Sequence, residues 1–173
     1  NLTPSVQLQV IERLDNKPKL IVLDTMNFWM EIALEDLKKV ITKVDVLTIN
    51  DEEARLLSGE YSLVKAAKTI LKMGPKYLII KKGEHGSMLF GDGQFFVTPA
   101  YPVKEVIDPT GAGDSFAGGV LGYISNYGID DPVKAVIHGS AVASYTVSGF
   151  GLENLCKLDK NDLYKKINQI SIK

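Results

Sequence analysis

The sequence is poor in several things that would narrow its use. Cys156 is its only cysteine, which excludes an intrachain disulfide and argues against a secreted, cross-linked scaffold. Charge of one sign is missing too: 20 Lys and Arg stand against 21 Asp and Glu, for a formal net charge of −1. No basic field therefore exists to hold nucleic acid or an anionic membrane surface. The lysine pairs at 38–39, 81–82 and 165–166 are too short to make a patch. No apolar run approaches the length of a membrane span, and nothing has the pattern of a signal peptide. A reducing cytoplasm is the expected setting. A G-x-x-x-x-G-K-[ST] stretch is also lacking, so the common nucleotide P-loop is excluded.

What is present has the balance of a folded protein. The 173 residues are 45% hydrophobic and 24% charged, enough for one domain over 1–173 that buries roughly 70% of its unfolded surface. Residue 1 is asparagine rather than methionine and no strand precedes the first helical pattern, so a piece of a longer protein is expected.

Thr3 can cap a helix with Pro4 at its first position, and Val6, Val10, Ile11 and Leu14 recur at helical spacing. Leu20–Leu23 is a continuous apolar run suited to a strand buried on both faces. A helix through Leu34, Leu37, Val40 and Ile41 leads to a second such strand at Val46–Ile49. Asn50 ends that strand and can cap the helix Asp51–Leu57, which Gly59 stops. Ser62 opens another helix, and Tyr77–Ile80 is a third buried strand. Ser87–Phe90 and Gln94–Val97 then flank Gly91-Asp92-Gly93 as an edge hairpin. Three more helices follow: one opened by Gly111–Asp114, one running from Asp131-Pro132 to about Val147, and one capped by Asp159. Repeated strand–helix units predict an α/β fold, a mainly parallel sheet flanked by helices on both faces, with the hairpin at its edge.

The most informative stretch is Asp108-Pro109-Thr110-Gly111-Ala112-Gly113-Asp114. Two glycines and an alanine leave the backbone bare at the start of a helix. Its first N–H groups lack partners and its dipole is positive there, so an anion is favoured, and phosphate is the obvious candidate. A carboxylate directly after this turn sits where a hydroxyl attacking that phosphate would need a base. From spacing alone, a tight turn followed by a helix-start aspartate explains the same residues as well.

This stretch, with the small residues after it, resembles the C-terminal signature of the ribokinase-like (PfkB) family of carbohydrate and nucleoside kinases. Asn50-Asp51-Glu52-Glu53 is similar to the family's N-x-x-E motif at a strand end. Ile80–Gly86 resembles the strand and glycine loop beside the nucleotide, and Ala141–Gly149 the late helix and loop on the adenine side. The likeness covers essentially the whole chain but only the C-terminal half of such a kinase, with the N-terminal part and its lid absent. It implies an ATP-dependent transfer of phosphate to a hydroxyl of a sugar, sugar phosphate or nucleoside, with ATP and Mg²⁺ as cofactors.

Residue by residue, the resemblance implies that Gly111, Ala112 and Gly113 form an anion hole and that Asp114 is the general base. Glu53, helped by Asn50, would hold Mg²⁺ or its waters. Gly83 and Gly86 would let the backbone approach the nucleotide. Lys81, standing where relatives often carry a hydroxyl, could reach a phosphate as a point charge. Asp108 and Thr110 would line a K⁺-type site, although Ser148–Glu153 lacks the serine that completes the cation loop in ribokinase itself. The acceptor pocket would come mainly from the other half, so residues 1–173 alone are not expected to turn over. A bare sheet edge would invite self-association, including a homodimer.

Other polar residues have plainer expectations. Asp24–Asn27 follows a strand's carboxyl end, where ligands lie in open α/β sheets, yet a strand-to-helix cap is the expected role of Asn27. Asn50 and Glu53 also fit a capping box, the lesser of the two readings once the signature is counted. His85 is read as an exposed loop residue, and His138, in mid-helix, as structural. Two other classes of function compete with the kinase. One is a nucleotide- or phosphate-binding regulatory module without turnover; the other is a structural domain with no ligand.

Overall fold

The computed structural model describes residues 2–16 and 18–170. Five strands form one sheet in the order β1-β2-β3-β4-β5: Val22–Asp24, Val46–Asn50, Tyr77–Lys81, Ser87–Gly91 and Gln94–Thr98. β1 and β2 are parallel, with Val22 opposite Val46 and Asp24 opposite Thr48. β4 and β5 are joined by Asp92-Gly93, both at positive φ (+50° and +75°), the geometry a type I′ hairpin turn requires. The outcome is a mixed sheet flanked by helices, as the strand–helix rhythm predicts. By internal contact the chain divides into two units, one made of the residues up to Ile80 with Phe90–Phe95, the other of Lys81–Leu89 with the residues from Phe96 on.

In the first unit lie α1 (Pro4–Glu12), α2 (Asn27–Ile32), α3 (Leu34–Ile41), α4 (Asp51–Ser58) and α5 (Leu63–Leu71). Its core is aliphatic: Leu37, Val40 and Ile41 of α3, Val46, Leu47 and Ile49 of β2, Ala67 and Ile70 of α5, and Leu78 and Ile80 of β3 are all essentially inaccessible. Burying each of the Val, Leu and Ile side chains contributes about 1.5–3 kcal/mol. The strand expected at Leu20–Leu23 is shifted and shorter. Among the described residues it pairs only with β2, and of its three residues only Leu23 is buried. α1 also departs from its apparent apolar stripe: Pro4 is buried and Leu8 and Ile11 are half-buried, whereas Val6 and Val10 are exposed.

The second unit holds α6 (Ala112–Tyr127), α7 (Pro132–Thr146) and α8 (Lys160–Gln169). α6 and α7 touch through their backbones. A Cβ on Gly119 would lie 2.9 Å from the Gly139 Cα, and one on Gly139 would lie 2.8 Å from the Phe116 carbonyl oxygen. No other residue permits that crossing without displacement. Asp131 caps α7 by accepting from the Lys134 N–H at 3.1 Å, and Asp159 caps α8 by accepting from Asn161 at 2.8 Å. Lys166 of α8 lies over the Tyr145 ring, 3.7 Å from its centroid, and donates to the Ser144 hydroxyl at 2.8 Å. That contact ties α8 to α7, and burial pushes the Lys166 ammonium below its ordinary pKa.

Candidate active site

The turn before α6 keeps the bareness its composition implies. Asp108 Oδ1 accepts from the Thr110 N–H at 2.9 Å, which holds the carboxylate below its usual pKa range and bends the chain toward Gly111. The Ile107 N–H reaches the Val147 carbonyl at 2.8 Å, so the turn is anchored to the end of α7. Gly111 is the N-cap residue at φ +80°, and no side chain caps the helix. The Ala112 and Ser115 N–H groups bond to the Pro109 and Gly111 carbonyls at 3.1 and 2.9 Å. Those of Gly113 and Asp114 have no acceptor among the described residues. Two N–H groups and the positive end of a 16-residue helix thus face outward together.

Asp114 is exposed and sits at the mouth of a cavity of about 600 Å³, within the range of small-molecule sites. Gly118, Gly122 and Asn126 continue its line at helical spacing down one wall. Tyr123, His138 and Tyr164 also line the cavity. There the Tyr127 and Tyr164 hydroxyls are 2.9 Å apart, and the Tyr123 and His138 rings are 4.5 Å apart. His138 bonds the Lys134 carbonyl through Nδ1 at 2.8 Å, so it is anchored in its helix as expected, but it also lines the cavity. The i, i+4 spacing from Asp114 could have revealed the first wall. The second comes from α7 and α8, and no local signal joins them to α6.

In the other unit, Asn50 and Glu53 stand together in a closed capping box. The Glu53 N–H donates to Asn50 Oδ1 at 2.8 Å, and the Asn50 N–H donates to Glu53 Oε2 at 2.7 Å. Glu53 is only 5% exposed, so its carboxylate is held rigidly at the carboxyl end of β2. Lys81 ends β3 and is half-buried. Gly86 has a packing reason for lacking a side chain, since a Cβ there would fall 2.0 Å from the Thr98 carbonyl oxygen. Gly83, at φ +57°, meets nothing within 4 Å and leaves its backbone open. His85 is exposed, as expected, and so is Cys156.

Asn27 departs from its expected role. Met26 is the N-cap of α2 and no side chain caps that helix. The Asn27 Oδ1 atom is instead buried without a hydrogen-bond partner among the described residues, as are Thr25 Oγ1 and Thr48 Oγ1.

A helix start without a side-chain cap is followed at once by an exposed carboxylate that lines an open cavity. The chain belongs to the pfkB family of carbohydrate kinases, which it matches over residues 4–160. It is 34% identical over 139 residues to a cytidine kinase of Thermococcus kodakarensis, covering 77% of this chain and 49% of that protein. It is 31% identical over 120 residues to a Staphylococcus aureus ribokinase, covering 66% of this chain and 39% of that one. The structure of a Thermotoga maritima ribokinase superimposes with a TM-score of 0.76 at 25% identity, over 97% of this chain and 54% of that one. The chain thus spans between 39% and 54% of the length of these relatives. Among its described residues, no helix is long and apolar enough to cross a membrane.

Proposed function

We propose that this chain carries the nucleotide-binding and catalytic-base half of an ATP-dependent kinase acting on a hydroxyl of a sugar, sugar phosphate or nucleoside. One observation carries the reading: the Gly113 and Asp114 N–H groups are unspent at the start of α6, and the Asp114 side chain opens onto the cavity beside them. The kinases among its relatives act on both nucleosides and sugars, which supports the reaction and leaves the acceptor as a class.

The Gly111–Gly113 turn receives the terminal phosphoryl of ATP. As that group moves, negative charge gathers on its oxygens, and fixed N–H dipoles meet it without reorganising. The acceptor O–H gives its proton to the Asp114 carboxylate while its oxygen bonds to phosphorus and the bond to the ADP oxygen breaks. Asp114 is placed by the first turn of a helix that crosses α7 in close contact. Thr146 donates to the Ser115 hydroxyl at 2.7 Å, fixing the turn from behind. Asn50 and Glu53 suit Mg²⁺, a hard cation that prefers oxygen ligands and keeps several waters. When bound, the ion supplies charge neutralisation at the nucleotide phosphates. Gly83 offers open backbone for the nucleotide, and Asp108 with Thr110 is the place for a monovalent cation.

A module that binds nucleotide without turnover would gain nothing from a carboxylate placed against the phosphate. The test is Asp114→Asn in the complete protein, assayed with ATP and Mg²⁺ across sugars and nucleosides. Turnover should fall by roughly 10²–10⁴ with nucleotide affinity retained. Turnover near the wild-type rate would refute the assignment.

A further inference from the structure

β5 is an end strand of the sheet among the described residues, yet it lacks the devices that usually keep such edges apart. Gln94–Thr98 has no charged residue and no proline, and an edge left in that state is a template for another strand. Its residues are apolar and open to solvent along most of its length: Phe95 is 59% exposed, Phe96 40% and Val97 58%. In β4 beside it, Leu89 and Phe90 are buried.

The hairpin register fixes which backbone groups point outward. Asp92-Gly93 is a two-residue turn, so Gly91 and Gln94 stand opposite each other and exchange both main-chain hydrogen bonds. Two side-chain contacts agree with that register. The Ser87 and Thr98 hydroxyls are 2.7 Å apart, and the Phe90 and Phe95 rings stack with centroids 6.0 Å apart. Bonding direction alternates along a strand, so Gln94, Phe96 and Thr98 bond inward to β4. Phe95 and Val97 turn their N–H and C=O groups outward, where no backbone partner meets them among the described residues. Pro99 comes next in the outward alternation, has no N–H, and ends the free edge there.

The sequence of the edge selects its occupant. Read from either end about Phe96, Gln94–Thr98 runs polar, apolar, apolar, apolar, polar. Antiparallel pairing with an identical strand sets Phe95 against Val97, and Val97 against Phe95, on one face. Each of these pairs falls on outward residues and exchanges both main-chain bonds. Phe96 meets its own copy on the other face, Gln94 meets Thr98, and no like charges come together. We propose that two copies of this chain join edge to edge through β5, antiparallel and centred on Phe96. The contact is isologous, so it covers both edges and stops at two copies. Main-chain bonds give it affinity, as in other strand additions, and its small apolar area places it among the weak, reversible interfaces.

The test is sedimentation equilibrium of the complete protein, where wild type should pass from monomer to dimer across the micromolar range. Phe96→Lys and Phe96→Glu each set like charges directly opposite at the two-fold axis. Either variant alone should lose the dimer, and an equal mixture of the two should regain it. Val97→Pro removes an outward N–H from each copy and leaves the bonds to β4 intact. It should weaken dimerisation about 10-fold or more, with the melting temperature unchanged at a concentration where wild type is monomeric. This variant decides the matter should the charged ones fail to fold. A wild type that stays monomeric, a dimer whose affinity Val97→Pro leaves unchanged, or charged variants whose mixture stays apart would each overturn the proposal. So would a Val97→Pro monomer that melts early, because the edge would then be covered within its own chain.

Discussion

Helices α4 and α6 begin with the same electrostatic problem, unpartnered N–H groups at a positive dipole end, and treat it in opposite ways. α4 answers from its own sequence: Asn50 and Glu53 close a capping box, and Asp51 and Glu52 add negative charge to the first turn. α6 starts at Gly111 with no side-chain cap and a single acid, Asp114, which is exposed. A helix that carries its own anion has little use for another, whereas one left bare is completed by a ligand. The contrast separates a start closed by its own side chains from one that its own side chains leave open.

Closing the bare start should break the contrast most visibly. Gly111→Asp places a carboxylate at the N-cap, and aspartate is among the few residues that visit the left-handed region. Charge-assisted hydrogen bonds to a phosphate are worth about 1.5–3 kcal/mol, so calorimetry should find ATP affinity in the complete protein reduced by about 10- to 100-fold. The fold should change by no more than about 1 kcal/mol, since the new cap offsets backbone strain. Unchanged ATP affinity would mean the phosphate lies elsewhere. Opening the closed start is the smaller, reciprocal change. Asn50→Ala removes the acceptor for the Glu53 N–H and should cost about 1–2 kcal/mol in urea unfolding. A loss below about 0.3 kcal/mol would show that the box does not complete α4.

Both starts were legible in the sequence because caps and glycine turns act over three or four residues. Asn50 with Glu53, Asp131 before Pro132, Asp159, and Asp92-Gly93 in the hairpin all declare themselves locally. What escaped depends on neighbours in space. Leu20–Leu23 reads as a doubly buried strand, but among the described residues β1 is an edge strand beside β2, and of its residues only Leu23 is buried. Val6 and Val10 keep helical spacing yet lie outside, because the inward face of α1 is set by what packs against it. Asn27 has the composition of a cap, and only the backbone reveals that Met26 holds that place. The exposed carboxylate of Asp114 beside a glycine turn was readable in the sequence. The cavity wall of Tyr123, His138 and Tyr164 was not, since three helices meet there.

The finest test of the comparison asks whether the acids of α4 act through charge. Asp51 accepts from Arg55 Nη1 at 2.6 Å, and the hydrogen bond from that guanidinium is the main reason its pKa lies below the ordinary value, against the opposing effect of burial. A carboxyl whose folded pKa is depressed stabilises the fold above its unfolded value, near 3.9, and loses that contribution as pH falls through the folded value. The side chains are 33% and 36% exposed, so screening limits the pair to about 0.3–0.5 kcal/mol. Arg55 also donates through Nε to the Tyr61 carbonyl at 3.2 Å and lies over the Tyr61 ring, contacts indifferent to the charge on Asp51. Urea unfolding of wild type and Arg55→Gln at low salt should therefore differ by a constant part plus a part present at pH 7. The second part should fade as pH drops well below 4. A difference flat across that range would assign Arg55 wholly to Tyr61, and α4 would then owe its completed start to the capping box rather than to this acid.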